Sequence, residues 1–140
     1  MDGDHFEGGV TQKGVVFREG GDVLVVSDPD SAYDWELPGG RVETDETAAE
    51  GLRRELSEET GLDATVGRPV LAMRGGWIDA DGDALFTVCY HCETPGGAVE
   101  LNHEHDDYAW LSPARAADAM PFDRLATAVE RAAVDRERHS

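Results

Sequence analysis

Lysine is almost absent from this chain: Lys13 is the only one, so the other basic residues among the 12 Lys+Arg are arginines. Isoleucine occurs once, at Ile78, and cysteine only at Cys89 and Cys92. No basic stripe exists, which argues against a nucleic-acid backbone or an anionic membrane surface as partner. No apolar run is long enough to cross a bilayer. The N-terminal residues are acidic and polar, unlike a secretory signal, and the expectation is a cytoplasmic protein. A lone C-x-x-C with no second pair is weak as a metal or redox motif. Cys89 and Cys92 fall in an expected strand, where positions i and i+3 face opposite sides.

What the chain has in excess is acid. Thirty Asp+Glu stand against 12 Lys+Arg, for a net charge of −18 over 140 residues. An ordinary small domain carries about 2–8 charges of one sign in excess. The acids are spread along the chain, so they are not a tail. Such self-repulsion is tolerable where salt screens it, since the Debye length falls to about 3 Å at 1 M. Scarce lysine with abundant Asp and Ala resembles the proteins of halophilic archaea. A small anionic substrate remains compatible with this charge if a metal ion reverses the local field.

By length the chain is one domain, 1–140, with residues 1–9 expected to be loose. Residues 10–17 and 23–26 read as strands joined by a Gly-Gly turn, a hairpin pattern. Residues 35–37 are extended ahead of Pro38. A helix is expected to start near Thr44 or Asp45, to bury Ala48, Ala49, Leu52, Leu56 and Thr60, and to end at Gly61. Gly51 inside it suggests close packing. Residues 62–73 read as extended but interrupted at Gly67-Arg68-Pro69, and 75–83 as a loop carrying Trp77. Residues 84–92 and 108–111 are strands. Ser112-Pro113 opens a short helix to Ala119. Asp123 is the expected cap of the last helix, 124–138, with Leu125, Ala128, Val129 and Ala132 inward. Helices alternating with short strands make an α/β or α+β domain.

Glu55, Glu58 and Glu59 stand at i, i+3 and i+4, on one side of a helix. Like charges there repel by about 0.2–0.5 kcal/mol per pair. A cation that takes oxygen ligands, Mg²⁺ or Mn²⁺, relieves this, and its common second partner is phosphate. A plain acidic surface in an acidic protein is the rival reading. The wider string decides between them. Gly40, Glu46, Arg54-Glu55-Leu56, Glu58-Glu59 and Gly61-Leu62 resemble the Nudix hydrolase signature at every fixed position. Trp35-Glu36-Leu37-Pro38-Gly39 is similar to that family's lead-in.

The resemblance implies an α/β/α sandwich around a mixed sheet. It also implies metal-dependent hydrolysis of a phosphoanhydride in a nucleoside diphosphate derivative, a small anionic substrate. Gly39, through its carbonyl, with Glu55, Glu58 and Glu59 match the metal-binding positions, and Glu59 ranks first for activity. Arg54 and Glu46 match the pair that holds the signature's shape. A late carboxylate often reaches the metal or serves as base in this family; Glu104 is the choice here, with Asp106 or Asp107 as substitutes. His103 and His105 could touch phosphate or metal, but lone histidines in loops are ordinarily solvated, which is the expectation here. Trp77 and Tyr33 are candidate stacking surfaces for a base, Trp35 is expected in the core, and Trp110 between sheet and terminal helix. Marks of the ADP-ribose, dinucleoside polyphosphate and coenzyme A subfamilies are missing, which leaves a nucleoside triphosphate or modified nucleotide by elimination. A binding or regulatory domain without turnover is the alternative. A homodimer using the 73–77 and 85–90 surface is a further expectation.

Overall fold

The computed structural model describes residues 5–139. Among them are six strands and three helices: β1 Val10–Phe17, β2 Val23–Ser27, β3 Gly39–Arg41, α1 Ala48–Thr60, β4 Thr65–Ile78, β5 Ala84–Glu93, β6 Asp107–Leu111, α2 Pro113–Ala119 and α3 Asp123–Arg138. The sheet runs β4-β5-β1-β2-β6, with β3 on β1. Among the described residues only β1 and β5 pair in parallel; the other pairings are antiparallel, so the sheet is mixed. β1 meets β3 along Thr11–Lys13 but meets β2 only at Phe17 and Val23. The first part of β1 therefore supports the signature loop, and its end opens the hairpin to β2.

Two apolar clusters lie on opposite faces of the sheet. Val15, Phe17, Val23, Val25, Leu71, Met73 and Cys89 pack under α2 and α3, which supply Ala116, Leu125, Ala128, Val129 and Ala132. Val16, Leu24, Val26 and Cys92 pack against Leu52 and Leu56 of α1. This is the expected α/β/α sandwich. Val15 and Val16 enter different clusters because successive side chains of a strand point to opposite faces. Cys89 and Cys92 are split in the same way, and burial pushes both thiols up to about 12.

Several boundaries differ from expectation. α1 starts after Thr47, not Thr44 or Asp45. Thr47 Oγ1 accepts the Glu50 N–H at 3.1 Å and Glu50 Oε1 accepts the Thr47 N–H at 2.8 Å, a reciprocal capping box. Residues 43–46 stay outside the helix because Glu46 Oε1 accepts the Glu43 N–H at 2.8 Å. Ala48 and Ala49 are exposed in consequence, and Gly51 takes the buried position. A Cβ at Gly51 would lie 2.9 Å from both Glu46 Oε1 and Val42 Cγ2.

β4 is continuous through the expected break, and bulges around Pro69 absorb the missing N–H. It continues to Ile78, so Trp77 belongs to a strand and not to a loop. Met73 and Trp77 both pack inward, away from the surface expected of a dimer. Phe122, not Asp123, is the residue before α3, and no side chain caps it. Asp123 sits in the first turn, where its charge suits the helix dipole. Trp110 packs on the α1 face, not under α3, beneath the Arg18 guanidinium at 4.8 Å. Of the expected loose segment 1–9, residues 1–4 lie outside the described residues; Phe6 packs on Phe86 at 6.0 Å between centroids.

Candidate active site

The signature loop is held by one guanidinium. Arg54 Nε donates to Glu46 Oε2 at 3.0 Å and Nη2 to Glu46 Oε1 at 2.8 Å, a two-pronged pairing. Arg54 Nη1 turns to Glu55 and Glu58, each at 3.0 Å, and Nη2 lies 3.5 Å from Glu43. The Arg54 hydrogen bond holds the Glu46 carboxyl down at about 2. Sequence reasoning paired Arg54 with Glu46; its three further carboxylates come from the fold.

Glu55, Glu58 and Glu59 are not equivalent. Glu58 is half exposed, Glu55 is partly buried, and Glu59 is fully buried at 1% exposure. The Glu55 carboxylate lies over Gly40, where a Cβ would come within 2.6 Å of it. Gly39 cannot carry a side chain either: its φ is +154°, and a Cβ would stand 2.0 Å from the Gln12 carbonyl oxygen. The Gly39 N–H donates to Glu59 Oε1 at 3.3 Å. Burial, and then the neighbouring Glu59, push the Glu55 carboxyl up to about 7 against the pull of Arg54.

The loop after β5 brings a second set of groups to Glu59. The Glu100 N–H donates to the Thr60 carbonyl at 2.8 Å and the Asn102 N–H to the Glu59 carbonyl at 3.3 Å. These bonds fasten the loop to the end of α1. His105 Nε2 then meets Glu59 Oε1 at 2.9 Å. Burial opposes a charge on His105, but Glu59 outweighs it and the imidazole titrates above its ordinary value. Ligand atoms of Glu59, Glu104 and His105 all lie within 4.8 Å of one another. Asp106 and Asp107 lie outside this group, and Asp107 Oδ1 accepts the Tyr108 N–H. His103 is exposed at the rim as expected, whereas His105 is buried, contrary to expectation.

The family model of the NUDIX domain matches residues 10–130. The chain belongs to the Nudix family. Among the relatives of this Nudix protein is a MutT-like protein of Streptomyces ambofaciens. It is 32% identical over 111 residues, covering 79% of this chain and 68% of the relative. The CTP pyrophosphohydrolase of Escherichia coli strain K12 is 34% identical over 104 residues, covering 72% and 74%. The crystal structure of the MutT protein from Methanosarcina mazei Go1 superposes with a TM-score of 0.71 at 25% identity, covering 94% of this chain and 96% of that one. This is a family of pyrophosphohydrolases that act on nucleotide derivatives with divalent metal ions.

The residues of this Nudix chain fit such an ion. Apart from the His105 imidazole the donors are hard oxygens, and Glu59 Oε2 is buried with no hydrogen-bond partner among the described residues. Beside it opens a cleft of about 700 Å³, lined by Lys13, Glu36, Gly39, Trp77, Glu104 and His105 among others. Tyr33 lines the same cleft and stands edge-on to Trp77, with centroids 6.3 Å apart. Its hydroxyl donates to the Gly76 carbonyl at 2.9 Å. Trp35 is partly buried on the α2 side, away from the cleft.

Among the cleft residues not chosen as site residues from the sequence are two buried charged ones. Lys13 is buried on β1, and Glu36 is buried in the lead-in. The signal was present for both: one is the only lysine, and the other sits inside the family's Trp-Glu-Leu-Pro-Gly string.

Proposed function

We propose that this chain hydrolyses nucleoside triphosphates or modified nucleotides with Mg²⁺ or Mn²⁺, cutting a phosphoanhydride bond with water in a salt-rich cytoplasm. The observation that carries the reading is Glu59: a buried carboxylate with one oxygen bonded and one free, beside a cleft lined by further carboxylates and by the rings of Tyr33 and Trp77. Carboxylates and aromatic rings in one cleft suit the two halves of a nucleotide once a cation reverses the field at the carboxylates. The CTP pyrophosphohydrolase relative supports a nucleoside triphosphate as the substrate class.

Glu55, Glu58 and Glu59, the Gly39 carbonyl and Glu104 are the groups assigned to the ion. When bound, it supplies electrophilic activation of phosphorus and relief of charge on the departing phosphate. His105 and the Gly39 N–H orient Glu59. Arg54 ties the signature loop to the helix and offsets part of the charge of Glu46, Glu55 and Glu58. Glu104 is exposed at the rim of the cleft, within reach of solvent, and serves as the acceptor of a proton from the attacking water. Tyr33 and Trp77 form the wall against which the base lies.

The test is a panel of nucleoside triphosphates, oxidised nucleotides, ADP-ribose, dinucleoside polyphosphates and sugar nucleotides, in about 2 M KCl with Mg²⁺ or Mn²⁺. Glu59→Gln runs beside wild type. Metal-dependent release of a nucleoside monophosphate from triphosphates by wild type alone is the expected result. Preferred cleavage of another class reassigns the substrate. Tight nucleotide binding without product from any of them removes the activity.

A further inference from the structure

We propose that Lys13 and Glu36 together read the base of the nucleotide. They select bases whose pairing edge carries a lactam, a ring carbonyl beside a ring N–H, as in uracil and guanine. The proposal rests on the nucleotide reading of the cleft given above.

Lys13 stands on β1 in the row that includes Val15 and Phe17. Those two enter the apolar cluster under α3, whereas the Lys13 side chain ends in the cleft. The Lys13 and Glu36 side chains are 9% and 6% exposed. Their contact is long, with Nζ 3.4 Å from Glu36 Oε1, and Nζ lies 4.4 Å from the centre of the Trp77 ring. An ammonium has three donors, so one long hydrogen bond leaves it short of acceptors. Glu36 Oε2 is buried and has no partner among the described residues. A buried ion pair is stable only when its remaining donors and acceptors are also met. Lys13 needs an acceptor and Glu36 needs a donor, and both face the same cleft.

The needed ligand is therefore narrow in its chemistry. A phosphate offers acceptors alone; it would satisfy Lys13 but would set like charge against Glu36. A lactam offers a carbonyl oxygen for Lys13 and an N–H for Glu36, side by side in one rigid plane. Its flat ring can lie against one of the two cleft rings, Trp77 or Tyr33, which stand at 86° to each other. The pairing edge of adenine places a ring nitrogen beside an amino group, and that of cytosine places such a nitrogen between an amino group and a carbonyl, so neither sets a carbonyl directly beside an N–H. A carbonyl oxygen has two lone pairs to offer an ammonium with several donors, and that nitrogen has one. The sole lysine in a chain that otherwise uses arginine is consistent with this task. A compact ammonium suits one carbonyl, whereas a guanidinium fork suits two parallel acceptors.

The experiment compares kcat and KM for UTP, GTP, CTP and ATP, with Mg²⁺ in about 2 M KCl. Wild type, Lys13→Met and the double variant Lys13→Met/Glu36→Gln are measured. The double variant removes the charge that the single one leaves unpaired, and near-UV circular dichroism checks that both are folded. Wild type is expected to favour UTP and GTP over ATP and CTP by about tenfold or more in kcat/KM, the size of one charge-assisted hydrogen bond. Both variants are expected to bring that ratio below about threefold, mainly through KM for UTP and GTP. A wild type with no lactam preference overturns the proposal. So does an equal loss on all four nucleotides, which would place Lys13 at the phosphates, and so does a ratio that survives in both variants. If wild type cleaves none of the four but cleaves another member of the substrate panel, the triphosphate reading fails, and this proposal falls with it.

Discussion

Glu59 and its neighbours carry the predictions at the residue scale. Glu59→Gln keeps the size of the side chain but loses the charge that faces the unpartnered side of the carboxylate. Turnover is expected to fall by about 10²-fold or more, checked by steady-state hydrolysis at saturating metal. His105→Asn removes a group that orients Glu59 from 2.9 Å. The expected cost is about 10–100-fold in Mn²⁺ affinity, read by calorimetry. Glu55 adds a pH dependence. Its carboxyl is pushed up to about 7, and a proton competes with a cation for it. Metal affinity is expected to rise with pH through about 7 and then level off. In metal-free protein the linked stability runs the other way. Between the ordinary carboxylate range and about 7 the folded state holds a proton that the unfolded state has released, so Glu55 costs stability as pH rises. Glu46, held at about 2 by Arg54, has the opposite sign: its contribution is complete at neutral pH and is lost as pH falls toward 2. Chemical denaturation of metal-free protein across pH 2–8 separates the two slopes.

At the scale of elements, α1 supports the site because both of its ends are fixed. The Thr47–Glu50 box closes the start, and Gly61, at φ +73°, closes the end with its N–H on the Ser57 carbonyl. Thr47→Ala is expected to cost about 1 kcal/mol, read by denaturant titration. Gly51→Ala poses a sharper question. Helix propensity alone favours alanine by about 1 kcal/mol. Its methyl group would stand 2.9 Å from Glu46 and Val42, where the signature loop crosses the helix. Crowding is expected to win, for a net loss of about 1–3 kcal/mol, and to weaken the Arg54–Glu46 pairing. A gain in stability would show that the loop moves aside without penalty. α3 is fastened at its far end by Arg136 on Glu93, 3.0 Å, and by His91 on Asp135, 2.7 Å. These contacts fix the end of α3 to β5, on the side of the sheet opposite α1.

At the scale of the whole molecule, charge is the leading quantity. A net −18 on 140 residues sets the folded state against its own repulsion, and salt shortens the range of that repulsion. The midpoint of thermal unfolding is expected to rise by more than about 5 °C between 0.1 and 2 M KCl, measured by calorimetry. Millimolar Mg²⁺ is expected to raise it further than KCl of equal ionic strength, because binding to the native state adds to screening. A flat response to salt would remove the case for a protein built for brine.

Local pattern was enough for much of this molecule. The extents of β1, β5 and α2, the inward face of α3, the acidic row of α1 and the Arg54–Glu46 pairing were all legible in the sequence. Side-chain period and hydrogen bonding within one or two turns set such features, and the residues concerned are neighbours along the chain. The resemblance of residues 40–62 to the Nudix signature added the fold and the reaction class. What only the tertiary structure decided are the meetings of distant segments. Trp77 reads as a loop residue amid glycines, but pairing with β5 draws it into a strand over Lys13. His105 reads as a solvated histidine, yet backbone bonds from residues 100 and 102 to the end of α1 bury it on Glu59. Glu36 and Lys13 are 23 positions apart and share one cleft because β3 folds back on β1. Periodicity shows which face a side chain takes, but not which strand will lie beside it. That choice is made by burial summed over the whole sheet, and it put the buried charges, and with them the site, where they are.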